Sequence, residues 1–166
     1  AYGDALAEVY DLMFQTTGVD DMAEVITSLV RPGARVVELG VGTGRVALPV
    51  ARRGFDVHGI DASAKMLAKL RERDPEHLVK TVQADFSDHV IDGNFDLCYV
   101  VCNTLFMLPD RDLQIRALRR AADHLVEGGR LVVEVYDPSR FHGRREPAFV
   151  AQQLSVDRLL IGSTTV

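Results

Sequence analysis

A short apolar run at residues 34–39 breaks into Gly40-Val41-Gly42-Thr43-Gly44, and a helical pattern takes over from Arg45. Glycine at every second position suits neither a continuing strand nor a helix interior, so the chain must turn there. A turn between a strand and a helix leaves unpaired backbone N–H groups at the helix start. It also lets a ligand approach the main chain with no Cβ in the way. The feature therefore predicts a strand–turn–helix unit and marks its turn as a candidate binding site.

The rest of the chain repeats that unit. Apolar runs at 55–60, 79–83, 95–101 and 131–136 read as further strands. Helical spacing covers 45–53, then Met66, Leu67 and Leu70 behind a Ser63 N-cap, then 110–126, where Leu113, Ala117, Leu118, Ala121 and Leu125 share a side. Gly54, Asp74-Pro75 and Gly128-Gly129 supply the stops. Ahead of the first strand, Leu6, Val9, Tyr10, Met13 and Phe14 are spaced for one helical face. A second helix starts at Asp20, carries Val25, Ile26, Leu29 and Val30, and stops at Pro32-Gly33.

Strands that are apolar almost throughout, alternating with helices, predict an α/β fold: a Rossmann-like, doubly wound, mainly parallel sheet with helices on both faces. Right-handed crossovers put all strand C-terminal ends on one edge, and ligands bind there, where strand order reverses. Three regions are expected: an N-terminal helical lid at 1–33, a core at 34–138, and a C-terminal antiparallel β extension at 139–166. In the last, 149–156 and 158–166 read as two strands. The chain stops within a β-branched run, so the expectation is a truncated C-terminal region.

Charge and composition narrow the partners. Nineteen Lys and Arg against 24 Asp and Glu leave a net charge of −5. A duplex nucleic acid calls for a basic face, whereas the Arg pairs here are scattered. No apolar run approaches the ~20 residues of a membrane span, and no signal peptide is evident. The expected setting is the cytoplasm, with no nucleic acid and no membrane partner; a homodimer is left open. Scarce Lys beside abundant Arg points to a GC-rich bacterial genome. Cys98 and Cys102 would stand roughly 13 Å apart along a strand, too far for a disulfide. They read as two small thiols in a reducing compartment. No His-Glu-x-x-His and no carboxylate cluster with ligand spacing occurs, so no metal is expected.

The strand ends carry the candidate chemistry. A dinucleotide fingerprint G-x-G-x-x-G would place its third glycine at position 45, which is Arg. Instead Glu38-Leu39-Gly40-x-Gly42-x-Gly44 resembles the first motif of class I S-adenosylmethionine-dependent methyltransferases. Asp61 follows about 20 residues on, at the end of the second strand, where a carboxylate accepts from ribose hydroxyls. Gln83-Ala84-Asp85-Phe86 resembles the adenine motif of that family, and Phe95-Asp96 resembles the start of its fourth strand. Leu125-x-Glu127-Gly128-Gly129-x-Leu131 resembles its structural corner, with Glu127 where Pro is usual. Tyr10-Asp11-Leu12 is similar to a segment of small-molecule members, including those acting on amino sugars. Asn103-Thr104 resembles the Asn-Ser of glycine and sarcosine N-methyltransferases.

The resemblance spans about 2–138. It implies S-adenosyl-L-methionine as cofactor and S-adenosyl-L-homocysteine as product. The implied cofactor residues are Tyr10, Glu38, Gly40, Gly42, Gly44, Asp61, Ala62, Met66, Ala84, Asp85, Phe86 and Val101. Glu38 would help fix the ammonium; Tyr10 is either a cofactor contact or plain helix packing. Asn103 and Tyr136 would face a small-molecule acceptor. Transfer to an N, O or C nucleophile needs alignment and exclusion of water. A base is required only for a protonated acceptor, and the candidates are Tyr136, Asp137 and His142. The alternatives are a module that binds S-adenosylmethionine without turnover and, less favoured by the glycine spacing, a dinucleotide-dependent oxidoreductase.

Overall fold

The computed structural model describes residues 2–14, 18–88, 92–136, 148–155 and 158–164. Five strands form one sheet: β1 (Arg35–Leu39), β2 (Asp56–Asp61), β3 (Val79–Gln83), β4 (Phe95–Val100) and β5 (Leu125–Val133). They stand in the order β3-β2-β1-β4-β5, and every neighbouring pair is parallel. The chain steps outward from β1 to β3, then crosses back to place β4 on the other side of β1. That reversal between β1 and β4 opens a crevice at their C-terminal ends.

Alternation along the central strands divides the core in two. Val36 of β1 and Leu97 and Tyr99 of β4 face α3 (Val19–Ser28), α4 (Ala47–Arg52) and α5 (Ala64–Arg73). Val37 and Leu39 of β1, with Cys98 and Val100 of β4, face α6 (Arg111–Asp123) and a 3-10 turn at Thr104–Met107. Both faces of β1 and β4 are therefore largely dry, as their mostly apolar sequences require, with Glu38 a buried acidic exception. Cys98 is buried and Cys102 partly so; both are free thiols. Burial pushes the Cys98 thiol up to about 12.

Several boundaries differ from the sequence reading. The first helical stretch is two short helices, α1 (Tyr2–Leu6) and α2 (Tyr10–Met13). Leu29 and Val30 lie beyond the end of α3, and α4 begins two residues after Arg45. The helix expected over 110–126 ends at Asp123, with His124 as its C-cap, and β5 already begins at Leu125. Helix periodicity could not see this, because Leu125 pairs with Phe95 while Arg130 pairs with Leu97, across a bulge. Gly129 sits in that bulge, where an added Cβ would lie 2.9 Å from the Val126 carbonyl oxygen. The Ser63 cap stands: its hydroxyl accepts from Met66 N at 3.1 Å. Beyond the main sheet, β6 (Ala148–Ser155) and β7 (Arg158–Thr164) form the expected antiparallel pair. Among the described residues, no helix is long and apolar enough to cross a membrane.

Leu67 is fully buried between α5 and the sheet. Leu67→Ala should cost about 2–5 kcal/mol of folding free energy in urea titrations. A loss below about 1 kcal/mol would contradict this packing.

Candidate active site

The crevice holds a cavity of about 280 Å³. Gly40 and Gly42 form one wall. The exit of β2 supplies Asp61, Ala62, Ser63 and Met66, and the exit of β3 supplies Asp85 and Phe86. Thr104, Met107 and Leu108 close it from the β4 side, and Gly3 and Tyr10 roof it. A smaller recess of about 20 Å³ shares Tyr10, Gly40, Gly42 and Thr104 with the cavity. It runs on to Glu38, Arg45, Val101 and Cys102.

Main-chain hydrogen bonds set the turn. Gly40 N and Val41 N both donate to the Ile60 carbonyl, at 2.8 and 2.9 Å. Gly42 N donates to Asp61 Oδ2 and Ser63 N to Asp61 Oδ1, each at 2.8 Å. Gly40 has a φ of 73°, and a Cβ there would run into the Thr104 methyl group. Burial pushes the Asp61 carboxyl up; the Ser63 and Gly42 donors pull it back, and the charge of Asp4 adds to the rise. Across the cavity, Asp85 Oδ1 accepts from Ser87 N at 2.8 Å, which fixes the turn after β3.

Glu38 is 4% exposed, and its Oε2 has no hydrogen-bond partner. The hydroxyl of Tyr99, also buried, has none either. Burial drives the Glu38 carboxyl up to about 8, while the Tyr99 hydroxyl and the Arg45 guanidinium pull it down and Asp61 adds to the rise. An orphaned carboxylate oxygen in a recess is a ready partner for a ligand cation.

The roof is tied down through two carboxylates. Ser63 Oγ donates to Asp4 Oδ1 of α1 at 2.6 Å, and that bond holds the Asp4 carboxyl below its ordinary value. Thr43 Oγ1 donates to Asp11 Oδ1 of α2 at 2.7 Å, and Arg73 Nη1 donates to Asp11 Oδ2 at 3.2 Å. Arg45 lies over the rings of Tyr10 and Phe14, 5.2 and 5.4 Å from their centroids.

The residues singled out from sequence do not all converge. Tyr10, Gly40, Gly42, Asp61, Ala62, Met66, Asp85 and Phe86 line the main cavity. Glu38 and Val101 line the recess. Gly44 lines neither; its φ of 76° favours glycine, and a Cβ there would press on Leu70 and Leu48. Ala84 packs against the core on the α6 side. Asn103 and Tyr136 lie outside both walls, where Tyr136 N donates to Asn103 Oδ1 at 2.6 Å. The Tyr136 ring is 5.3 Å from that of Phe106. Asp137 and His142 fall outside the described residues. Sequence reasoning missed Gly3, Arg45, Met107 and Leu108 on the walls, and Asp4, Asp11 and Arg73 behind them. Asp11 stood inside the Tyr-Asp-Leu segment but carried no role until its partner Thr43 was seen. Among the described residues, no group of three or more His, Cys, Asp or Glu side chains could hold a metal ion.

Comparison with known proteins gives concordant matches. A family model described as a methyltransferase domain matches residues 36–129. The cypemycin N-terminal methyltransferase of a Streptomyces species is 32% identical over 142 residues, covering 84% of this chain and 58% of that protein. The dTDP-3-amino-3,6-dideoxy-alpha-D-glucopyranose N,N-dimethyltransferase of Streptomyces fradiae is 28% identical, over 90% of this chain and 59% of that protein. The structure of the CcbJ methyltransferase from Streptomyces caelestis superposes with a TM-score of 0.86 at 33% identity, over 96% of this chain and 67% of that one. The chain thus spans little more than half the length of these two curated relatives.

Glu38 gives the site a pH signature. Its folded value, about 8, lies above the ordinary 4.5, so the folded chain keeps a proton that the unfolded chain releases. That contribution to stability is full below about pH 4.5 and is lost as pH rises through about 8. Glu38→Gln should therefore gain on the parent between about pH 5 and about pH 8.5, by on the order of a few kcal/mol in urea unfolding. Parallel pH profiles for the two proteins would refute it.

Proposed function

Because the chain belongs to the methyltransferase-domain family, we propose that it binds S-adenosyl-L-methionine in the crevice and methylates a small-molecule acceptor at nitrogen, oxygen or carbon. One observation carries this reading: a cavity floored by an open glycine turn and flanked by Asp61 and Asp85 continues into a recess with an unpartnered carboxylate. Such a site asks for a ligand with a diol, an amino-bearing ring and an ammonium group. S-adenosylmethionine has all three.

When bound, the cofactor supplies a methyl group activated by a sulfonium. The chain's own residues bind, orient and exclude water. Asp61, its carboxylate held by Gly42 N and Ser63 N, keeps lone pairs for the ribose hydroxyls. Met66, Phe86 and Leu108 provide apolar surface for the base, and Asp85 an acceptor for its amine. Glu38 meets the ammonium, and Arg45 offers a counter-charge for the carboxylate. Tyr10 and Gly3 act as a lid that keeps water from the reacting groups. Asn103 and Tyr136, joined by the Tyr136 N to Asn103 Oδ1 bond at the exits of β4 and β5, are assigned to the acceptor side. No covalent enzyme intermediate is called for, and alignment does most of the work.

Acceptors with a primary or secondary amine are the first class to test, since the relatives named above include an N-terminal and an amino-sugar N-methyltransferase. Isothermal titration should give binding of S-adenosylmethionine and none of NAD, and Asp61→Ala should weaken the former at least tenfold. Turnover is then measured across amines, phenols and carbon acids, which separates an enzyme from a silent binding module. Unchanged cofactor affinity in Asp61→Ala would overturn the site assignment.

A further inference from the structure

The exit of β4 contains two successive residues with left-handed backbone, Cys102 at φ 57° and Asn103 at φ 60°, and neither is glycine. Asparagine tolerates this conformation, but a cysteine adopts it rarely and then where its surroundings favour it. The surroundings here are the exit of β5. Cys102 N donates to Glu134 Oε2 at 2.5 Å, and Tyr136 N donates back to Asn103 Oδ1 at 2.6 Å. Glu134 is itself anchored, because its N–H extends the sheet ladder to the Val100 carbonyl at 2.9 Å. A carboxylate on one strand exit and an amide on the other thus form a double clasp across the top of the sheet.

The clasped turn is a wall of the recess. Val101, Cys102 and Thr104 line it together with Glu38, and Arg45 Nη2 donates to Cys102 Sγ at 3.4 Å. Glu134 lines neither the recess nor the cavity. We propose that Glu134 is a positioning residue: by holding the Cys102 N–H it imposes the left-handed turn that shapes the recess for the amino-acid half of the cofactor. The proposal rests on the reading of the crevice as an S-adenosylmethionine site. A carboxylate suits the task, since charge-assisted acceptors make the shorter and stronger hydrogen bonds to a main-chain donor.

The role predicts a selective effect, because Val101 and Cys102 line the recess but not the larger adenosyl cavity. Two probes distinguish them: S-adenosylhomocysteine, which carries the amino-acid half, and 5′-methylthioadenosine, which lacks it. By isothermal titration, Glu134→Ala should weaken S-adenosylhomocysteine about tenfold and change methylthioadenosine less than twofold. Glu134→Gln, which keeps an acceptor oxygen, should recover part of the loss. Glu134→Ala combined with Cys102→Gly should recover most of it, since glycine adopts φ near 57° without a clasp. Should Glu134→Ala fail to fold, Glu134→Gln carries the comparison, with a selective loss of at least threefold expected. Equal weakening of both probes, no weakening, or no recovery in the double variant would overturn the role of Glu134. If the parent chain binds neither probe, the reading of the crevice itself falls, and this proposal with it.

Discussion

The two hydrogen bonds that Asp61 accepts from Gly42 N and Ser63 N join the exit of β1 to the exit of β2, and the site is assembled around that joint. The sheet brings the two exits side by side, with Leu39 paired to Ile60. Parallel pairing alone leaves the turns beyond the strands undirected. The carboxylate directs them: it holds the glycine turn over the cavity and starts α5, whose Ser63 then caps Met66 N and holds Asp4. One side chain thereby orients a ligand-facing loop, a helix start and, through Ser63, part of the roof. Its charge is tolerable in a largely buried place because both oxygens have main-chain donors.

Glu38 is the opposite case. It is buried with an oxygen that nothing in the protein satisfies, and its neighbour Tyr99 is in the same condition. The parent chain accommodates this by keeping the carboxyl largely protonated, which removes the charge but not the unmet acceptor. A cation entering the recess would supply both the missing donor and the counter-charge. Folding alone thus leaves a defect at this place that a ligand is suited to relieve, as expected where a structure is shaped for binding rather than for stability.

The sheet and the cavity walls were legible because each strand exit announces itself locally. An apolar run stops at a glycine or an acid, as at Gly40, Asp61 and Asp85, and parallel topology gathers those stops on one edge. Residues whose role depends on a distant partner were not legible. Asp11 acquires meaning only when Thr43 and Arg73 arrive beside it, and Glu134 only when the β4 exit turns left-handed. The end of α6 failed for a related reason. Leu113 to Leu125 keep helical spacing past the true end, and only cross-strand pairing to Phe95 reveals that Leu125 has left the helix. Gly44 belongs to the same glycine pattern yet lies outside both cavity walls, close against Leu70 and Leu48.

The distribution of anchorage follows from the same contrast. The glycine turn and the Thr104 side of the crevice hang on β1 and β4, which are buried on both faces, so moving them would expose the central core. The roof consists of two short helices, and Leu12 and Phe14 on it are substantially exposed. Its polar ties include the Asp4–Ser63 hydrogen bond, the partly exposed Asp11–Arg73 pair beside Thr43, the Arg45 bond to the Phe14 carbonyl and the exposed Lys69–Glu8 pair. Exposed ion pairs contribute about 0–1 kcal/mol each, far less than a buried apolar side chain. The segment covering the ligand is therefore the least expensive part of the site to open, while the strand exits that align the reactants are the most expensive to disturb. A group-transfer site needs both properties, one for exchange of cofactor and product, the other for alignment.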